Sequence, residues 1–304
     1  MNKCTDFKQI KMVALDLDGT TLTRAGLTRR TKECLEECIE RGIDVVIATG
    51  RPYVALPDDI LSINGLKYII ISNGGHIVDT EGNILDSSCL NREKSSELRD
   101  FLMTKELPVE VFTGGCAFVD QSLYDDLALN GSTYMGAKYI LRTRKPVPNL
   151  YDFWLENLDE IENLNLHFED LDVRNEMWSY FESLGDITVT SSQWNNIELV
   201  GHNTSKANSL KTLCDELNIN MTQVMAFGDS LNDQAMLEEC GYAVAMGNAD
   251  DKLKEIADFI APTNEEEGVC YTIRLKLFNE TGGVKKNEHR LFRHGRRVNT
   301  RNMD

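Results

Sequence analysis

Several features that would mark other protein classes are missing from this chain. No apolar run approaches the roughly 20 residues that a membrane-spanning helix needs, so no such helix is expected. The first ten residues, MNKCTDFKQI, lack the apolar core of a secretory signal. The 8 cysteines include no CxxC pair and have no histidines at zinc-ligand spacing, which sets aside a zinc ribbon and a disulfide framework. Cys34 and Cys38 lie four residues apart on a predicted helix face, where buried free thiols are expected rather than a metal or redox pair. A reducing, cytoplasmic setting follows. Positive charge is short as well: 32 Lys and Arg face 49 Asp and Glu, a net charge of −17. That balance argues against a general nucleic-acid binder and leaves any small anionic ligand dependent on local cations.

Positive charge is concentrated in one place. Residues 280–304 hold seven Lys and Arg against three acids, a net +4 that leaves −21 for residues 1–279. With few apolar residues and a Gly282-Gly283 break, this segment reads as a basic, disordered tail. The whole chain, 304 residues with 41% apolar and 27% charged, is long enough for one or two globular domains.

What is present is sharpest at Lys11–Thr21, KMVALDLDGTT. Met12–Leu15 has the continuous apolar character of a strand buried on both faces, as in parallel sheets. Asp16 and Asp18 then fall at its carboxyl end, where open α/β sheets bind ligands. Two acids that close repel one another, so the pair needs a cation, a shared proton or strong hydrogen bonds. A Mg²⁺ site for an anionic substrate explains the pair economically; a solvated acidic turn is the alternative. An EF-hand loop starting at Asp16 fails, because its glycine would fall at Thr21 and its closing glutamate at Leu27.

Strand-like runs alternate with amphipathic helices at both ends of the chain, the pattern of a parallel βα sheet. Strands are predicted at Met12–Leu15, Ile43–Ala48, Tyr68–Ser72, Val224–Phe227, Tyr242–Met246 and Asp258–Ala261, and helices at Thr28–Arg41 and Lys206–Leu217. Between them the texture changes. Helices Arg92–Leu107 and Arg174–Leu184 interleave with hairpin-like strands Val109–Phe112, Ala117–Asp120, Ile187–Thr190 and Ile197–Val200. The predicted organisation is a discontinuous core, residues 1–85 and 197–279, an inserted α+β domain, 86–196, and the tail. Four strand ends carry small polar groups: Asp16/Asp18, Thr49-Gly50, Asn73-Gly74 and Asp229/Asn232/Asp233. In a parallel sheet such ends share one edge, so residues far apart in sequence converge on one crevice. Taken alone, Asp229 could instead cap a helix Leu231–Glu239.

These residues resemble the haloacid dehalogenase (HAD) superfamily, within it the Cof-type (HAD-IIB) phosphatases. Asp16-Leu17-Asp18-Gly19-Thr20 is similar to the first motif, Thr49-Gly50-Arg51 to the second, Lys206 to the third, and Gly228-Asp229-Ser230-Leu231-Asn232-Asp233 to the fourth. Met246-Gly247-Asn248-Ala249 and Asn264–Val269 resemble further Cof-type landmarks. The likeness spans about residues 10–275. It departs at Ala207, where the family often has glycine and an added methyl could narrow the approach to substrate.

The resemblance implies a Rossmann-like parallel-sheet core with an inserted α+β cap of the C2B type that closes over the site. It implies Mg²⁺-dependent hydrolysis of small phosphorylated metabolites, of sugar phosphate, FMN or pyridoxal phosphate type, through an aspartyl-phosphate. Asp16 would be the nucleophile and Asp18 the general acid and base. Mg²⁺ would be held by an Asp16 oxygen, the Asp18 backbone carbonyl and the Asp229 carboxylate. Thr49, Gly50, Lys206 and Asn232 would bind the phosphate, with Asp233 holding Lys206. The alternatives are a sugar-phosphate phosphotransferase or mutase, and a non-catalytic sensor. Trp154, Trp178 and Trp194 are expected in the core of the insert, and His76, His167 and His202 are expected to be structural or exposed.

Overall fold

The structure, a computed structural model, describes residues 7–280. The basic tail predicted beyond Glu280 lies outside the described residues. In chain order the strands are β1 (Met12–Leu15), β2 (Asp44–Ala48), β3 (Tyr68–Ile71), β4 (His76–Val78), β5 (Ile84–Ser87), β6 (Val109–Thr113), β7 (Cys116–Asp120), β8 (Lys145–Val147), β9 (Ile161–His167), β10 (Ile187–Thr190), β11 (Asn196–Gly201), β12 (Val224–Gly228), β13 (Tyr242–Ala245) and β14 (Phe259–Ile260). They form two sheets. The first runs β14-β13-β12-β1-β2-β3-β4-β5 and the second β10-β11-β9-β6-β7-β8.

The first sheet is parallel from β14 to β3, with β4 and β5 added antiparallel at one edge. Every residue of β1 and β12 is buried, as their apolar runs require of a strand covered on both faces. Register then sets the site. Leu15 lies opposite Phe227 on one side and Ile47 on the other, so Asp16, Gly228-Asp229 and Ala48-Thr49 leave the sheet at one level. The covering helices obey their apolar stripes. Arg29–Glu40 is capped by the Thr28 side chain and buries Thr31, Cys34, Leu35 and Cys38; Lys206–Glu216 is capped by Ser205 and buries Leu210, Leu213 and Cys214.

The second sheet is amphipathic in an unusual sense. Val109, Val111, Leu164, Leu166, Ile197 and Leu199 pack with Leu98, Trp154 and Phe181 in a separate apolar core. The alternate residues Glu110, Asn163, Asn165, His167, Asn196 and Glu198 are also buried. Period-two alternation puts them on the opposite face. Glu162 ties the layers together: its carboxylate accepts from the Ser72 hydroxyl at 2.6 Å and lies 3.2 Å from His76 Nε2.

Four predictions of extent are corrected. β11 pairs antiparallel with β9 and β10, so residues 197–201, expected in the core, belong to the second sheet. At the other junction Ser87 still pairs with His76, so the first sheet reaches past 85. The reason is shared: which sheet a short strand joins is set by its pairing partners, which its own residues do not reveal. The helix from Arg92 ends at Leu102, where Thr104 and Lys105 turn back to the carbonyls of Phe101 and Leu102, and Leu107 before Pro108 favours extended backbone. The helix ending at Leu184 starts at Leu171, because Asp170 caps it. Nor does Asp229 cap a helix: Ser230 opens a short 3-10 turn, Leu231–Asp233, before Gln234–Glu239.

Candidate active site

At the carboxyl edge of the first sheet, Lys206 is 1% exposed and donates to Asp16 Oδ1 at 2.6 Å and Asp233 Oδ1 at 2.7 Å. The second Asp233 oxygen accepts from the amides of Asp229 and Ser230 at 2.9 and 3.1 Å. Asp229 is steadied by the Thr20 hydroxyl, 2.8 Å from its Oδ1. Gly19 makes this approach possible. Its φ is +78°, and a Cβ there would sit 2.3 Å from Asp229 Oδ2.

The carboxylates of Asp16, Asp229 and Asp233 offer oxygens all within 4.8 Å of one another. One buried ammonium does not balance them. Burial drives the Asp16 carboxyl well above its ordinary range in spite of Lys206, and burial, with Asp233 nearby, pushes Asp229 up to about 7. Burial opposes the charge on Lys206, but Asp16 and Asp233 outweigh it and hold the ammonium above its usual value. Such an uncompensated set fits a divalent cation. Asp16 and Asp229 are the better ligands, since Asp233 is committed to Lys206 and two backbone amides, whereas Asp229 accepts only from the rotatable hydroxyls of Thr20 and Ser230.

Asp18 is apart from this cluster. Its side chain is 60% exposed and is held by Arg51, while Arg51 Nη1 donates to the Ala55 carbonyl at 2.8 Å. Thr49, Gly50 and Asn232 join Asp16 and Asp18 around a cavity of about 280 Å³, roofed by Tyr139, Arg144, Asn165 and Glu198 from the second layer. Lys206 borders an adjoining cavity of about 210 Å³ with Asn73 and Asn232. The later landmarks act at a distance. Asn248 donates to the Gly19 carbonyl at 2.8 Å and Asn264 to the Leu22 carbonyl at 2.8 Å, pinning the loop after β1.

All eight site residues predicted from sequence therefore gather at one edge: seven meet around Lys206 or the first cavity, and Asp229 stands beside Asp16. Ala207 does not crowd them, because its methyl is buried in the apolar core of the first layer. Arg51 and Asn73 carry no individual role in the sequence motifs, although each sits at a strand end. Asn73 takes φ +57° and accepts from Asn232 Nδ2 at 3.0 Å. The roof residues were harder, their signal being polar alternation inside strands expected to be apolar. Trp154 is in the core as expected, but Trp194 is 66% exposed on the loop before β11. His76 and His167 are buried structural partners of Glu162 and Glu110, and His202 is exposed.

The family model of haloacid dehalogenase-like hydrolases matches residues 13–273. Phosphatase YwpJ of Bacillus subtilis is 31% identical over 289 residues, covering 88% of this chain and 100% of that protein. The 5-amino-6-(5-phospho-D-ribitylamino)uracil phosphatase YcsE of the same species is 31% identical, covering 87% of this chain and 95% of its own. A solved haloacid dehalogenase-like hydrolase from B. subtilis superposes with a TM-score of 0.74 at 28% identity, over 87% of this chain and 99% of that one. The chain belongs to the haloacid dehalogenase-like hydrolases. It is an enzyme of the phosphoric monoester hydrolase class.

Proposed function

We propose that this enzyme hydrolyses small phosphorylated metabolites, of sugar phosphate, FMN or pyridoxal phosphate type, by way of an aspartyl-phosphate on Asp16. The observation that carries the reading is the buried Lys206 bridging Asp16 and Asp233 beside Asp229, with Asp16 lining the cavity that Asp18 also lines. Asp16 attacks phosphorus and expels the alkoxide. Asp18 donates a proton to that leaving oxygen, then takes one from the water that cleaves the acyl phosphate. The Thr49 hydroxyl, the Gly50 amide, Asn232 and Lys206 bind phosphate oxygens, and Asp233 keeps Lys206 in place. Asp16, Asp229 and the Asp18 carbonyl are the residues that would hold Mg²⁺. When bound, Mg²⁺ lowers the repulsion between the carboxylate and the phosphate dianion.

The seven described cysteines are all free, which supports a reducing compartment such as the cytoplasm. Among the described residues no helix is long and apolar enough to cross a membrane. The acidic balance of the chain speaks against nucleic acid as a partner.

The test is release of inorganic phosphate from a metabolite panel with Mg²⁺ or EDTA, beside Asp16→Asn. Acid quenching with radiolabelled substrate should leave label on the peptide that contains Asp16. Phosphate appearing on a second sugar instead of in water would replace hydrolysis with phosphotransfer. Binding without turnover would leave a sensor.

A further inference from the structure

Between β3 and β4 the backbone passes through three consecutive residues of positive φ: Ser72 at +51°, Asn73 at +57° and Gly74 at +101°. Only glycine takes this conformation freely, and other residues keep it where their surroundings fix the turn. Here they do. The Ser72 and Asn73 amides donate to the carbonyls of Arg51 and Thr49 at 2.9 and 3.0 Å. The Ser72 hydroxyl donates to Glu162 of β9 at 2.6 Å. The Gly74 carbonyl accepts from the Ser209 hydroxyl at 2.9 Å. A Cβ on Gly74 would lie 2.4 Å from the carbonyl oxygen of Ser205, which caps the helix that begins at Lys206. One short turn therefore touches the loop after β2, the helix of the buried lysine and the second layer.

The turn places one side chain. Asn73 is 2% exposed, and its carboxamide lies between Gly50 and Asn232. A Cβ on Gly50 would stand 3.0 Å from Asn73 Oδ1, the same atom that accepts from Asn232 Nδ2 at 3.0 Å. The other end of the amide sets its sense. Burial raises the Glu198 carboxyl, and Asn73 is among the side chains whose hydrogen bonds partly offset this. The Asn73 amino group is thus directed to an acid, and its carbonyl is left for Asn232. Asn232 in turn lines the cavity with Asp16 and Asp18.

We propose that Asn73 is a positioning residue for phosphate binding: by accepting from one N–H of the Asn232 side chain it fixes the sense of that amide and leaves the second N–H for a phosphate oxygen. A side-chain amide has donors at one end and an acceptor at the other, and turned over it would present a carbonyl to the anion. Asn73 Oδ1 accepts only from the amino end and so excludes that orientation. The left-handed turn is what brings Oδ1 within reach. Since the phosphate role of Asn232 belongs to the hydrolase reading of the preceding section, the inference rests on that reading.

The test is a double-mutant cycle of Asn73→Gly and Asn232→Ala, read as the inhibition constant of inorganic phosphate against p-nitrophenyl phosphate hydrolysis. Glycine keeps the left-handed turn and removes only the amide. Asn232→Ala should weaken phosphate about tenfold, the order of one hydrogen bond to a charged group, and Asn73→Gly about three- to tenfold. In the double variant the losses should not multiply: phosphate should bind no worse than to Asn232→Ala alone, because Asn73 acts only through Asn232. A merely structural role would lower the affinity by the same factor in both backgrounds. That result, or wild-type affinity in Asn73→Gly, overturns the assignment. Should thermal melting show Asn73→Gly unfolded, Asn73→Ser enters the same cycle, since serine already takes this conformation at position 72. Wild-type affinity in Asn232→Ala would remove Asn232 from the phosphate site and this role of Asn73 with it, leaving hydrolysis at Asp16 intact. If wild type releases phosphate neither from p-nitrophenyl phosphate nor from the metabolite panel, the hydrolase reading has failed and this inference falls with it.

Discussion

Arg51 grips both carboxylate oxygens of Asp18, Nε to Oδ2 at 2.7 Å and Nη2 to Oδ1 at 2.6 Å. A carboxylate held by such a fork has both oxygens occupied. To protonate a leaving group Asp18 must exchange this partner for substrate, and Arg51 lies under the Tyr139 ring of the roof, 5.4 Å from its centroid. Removing the acid should therefore matter most for poor leaving groups. Asp18→Asn should lower kcat on an alkyl phosphate by about a hundredfold or more. With p-nitrophenyl phosphate, whose leaving group needs no proton, stopped-flow absorbance should show a burst of p-nitrophenol followed by slow turnover. A uniform loss with no burst would remove Asp18 from the acid and base role.

Lys206 is buried between two acids, so its removal has a structural cost besides a catalytic one. Lys206→Met strands Asp16 and Asp233 without a countercharge. The expected loss of stability is about 3–5 kcal/mol, read from urea unfolding, together with loss of phosphate release. Normal stability in the variant would show that the two acids are neutral in the absence of metal.

Gly19→Ala tests the approach of the loop after β1 to Asp229. The added methyl would meet the Asp229 carboxylate, and the backbone there has positive φ. Displacing a candidate metal ligand should raise the Mg²⁺ concentration for half-maximal activity by about tenfold or more. A Mg²⁺ titration of phosphate release measures it, and an unshifted midpoint would argue against Asp229 as a ligand.

Acid should loosen the second layer through Glu110. Burial alone would raise this carboxyl, but Arg144 and His167 hold it at about 2, below its ordinary 4.5. A folded value below the unfolded one means the group stabilises the fold fully above about pH 4.5, and the contribution is lost as pH falls toward 2. Glu110→Gln should be less stable than wild type at pH 6, by an amount on the order of a few kcal/mol. Urea midpoints for the two proteins should converge as pH falls through that window. A gap that stays constant would mean the effect is steric.

Much of the site was legible beforehand because its elements are local. Each strand that ends in a motif is a continuous apolar run, and an apolar run buried on both faces implies a parallel sheet whose carboxyl ends share an edge. That reasoning brought Asp16 and Asp229 to one edge, whereas Lys206, at the start of a helix, came only from the resemblance. It could not see Arg51 on Asp18 or Asn73 under Asn232, because side-chain partners depend on the loops between. It misassigned β11 for a related reason: Ile197–Val200 suits either sheet, and only pairing with Leu164–Leu166 of β9 and Thr188–Thr190 of β10 distinguishes them.

The sequence by itself determined the kind of sheet, the carboxylates at its edge and the class of chemistry they serve, since these follow from hydrophobic runs and short motifs. Tertiary structure alone decided what lines the cavity opposite those carboxylates. The roof is assembled from single polar residues on strands far apart in the chain, and only cross-strand register turns Glu110, Asn165 and Glu198 into one surface.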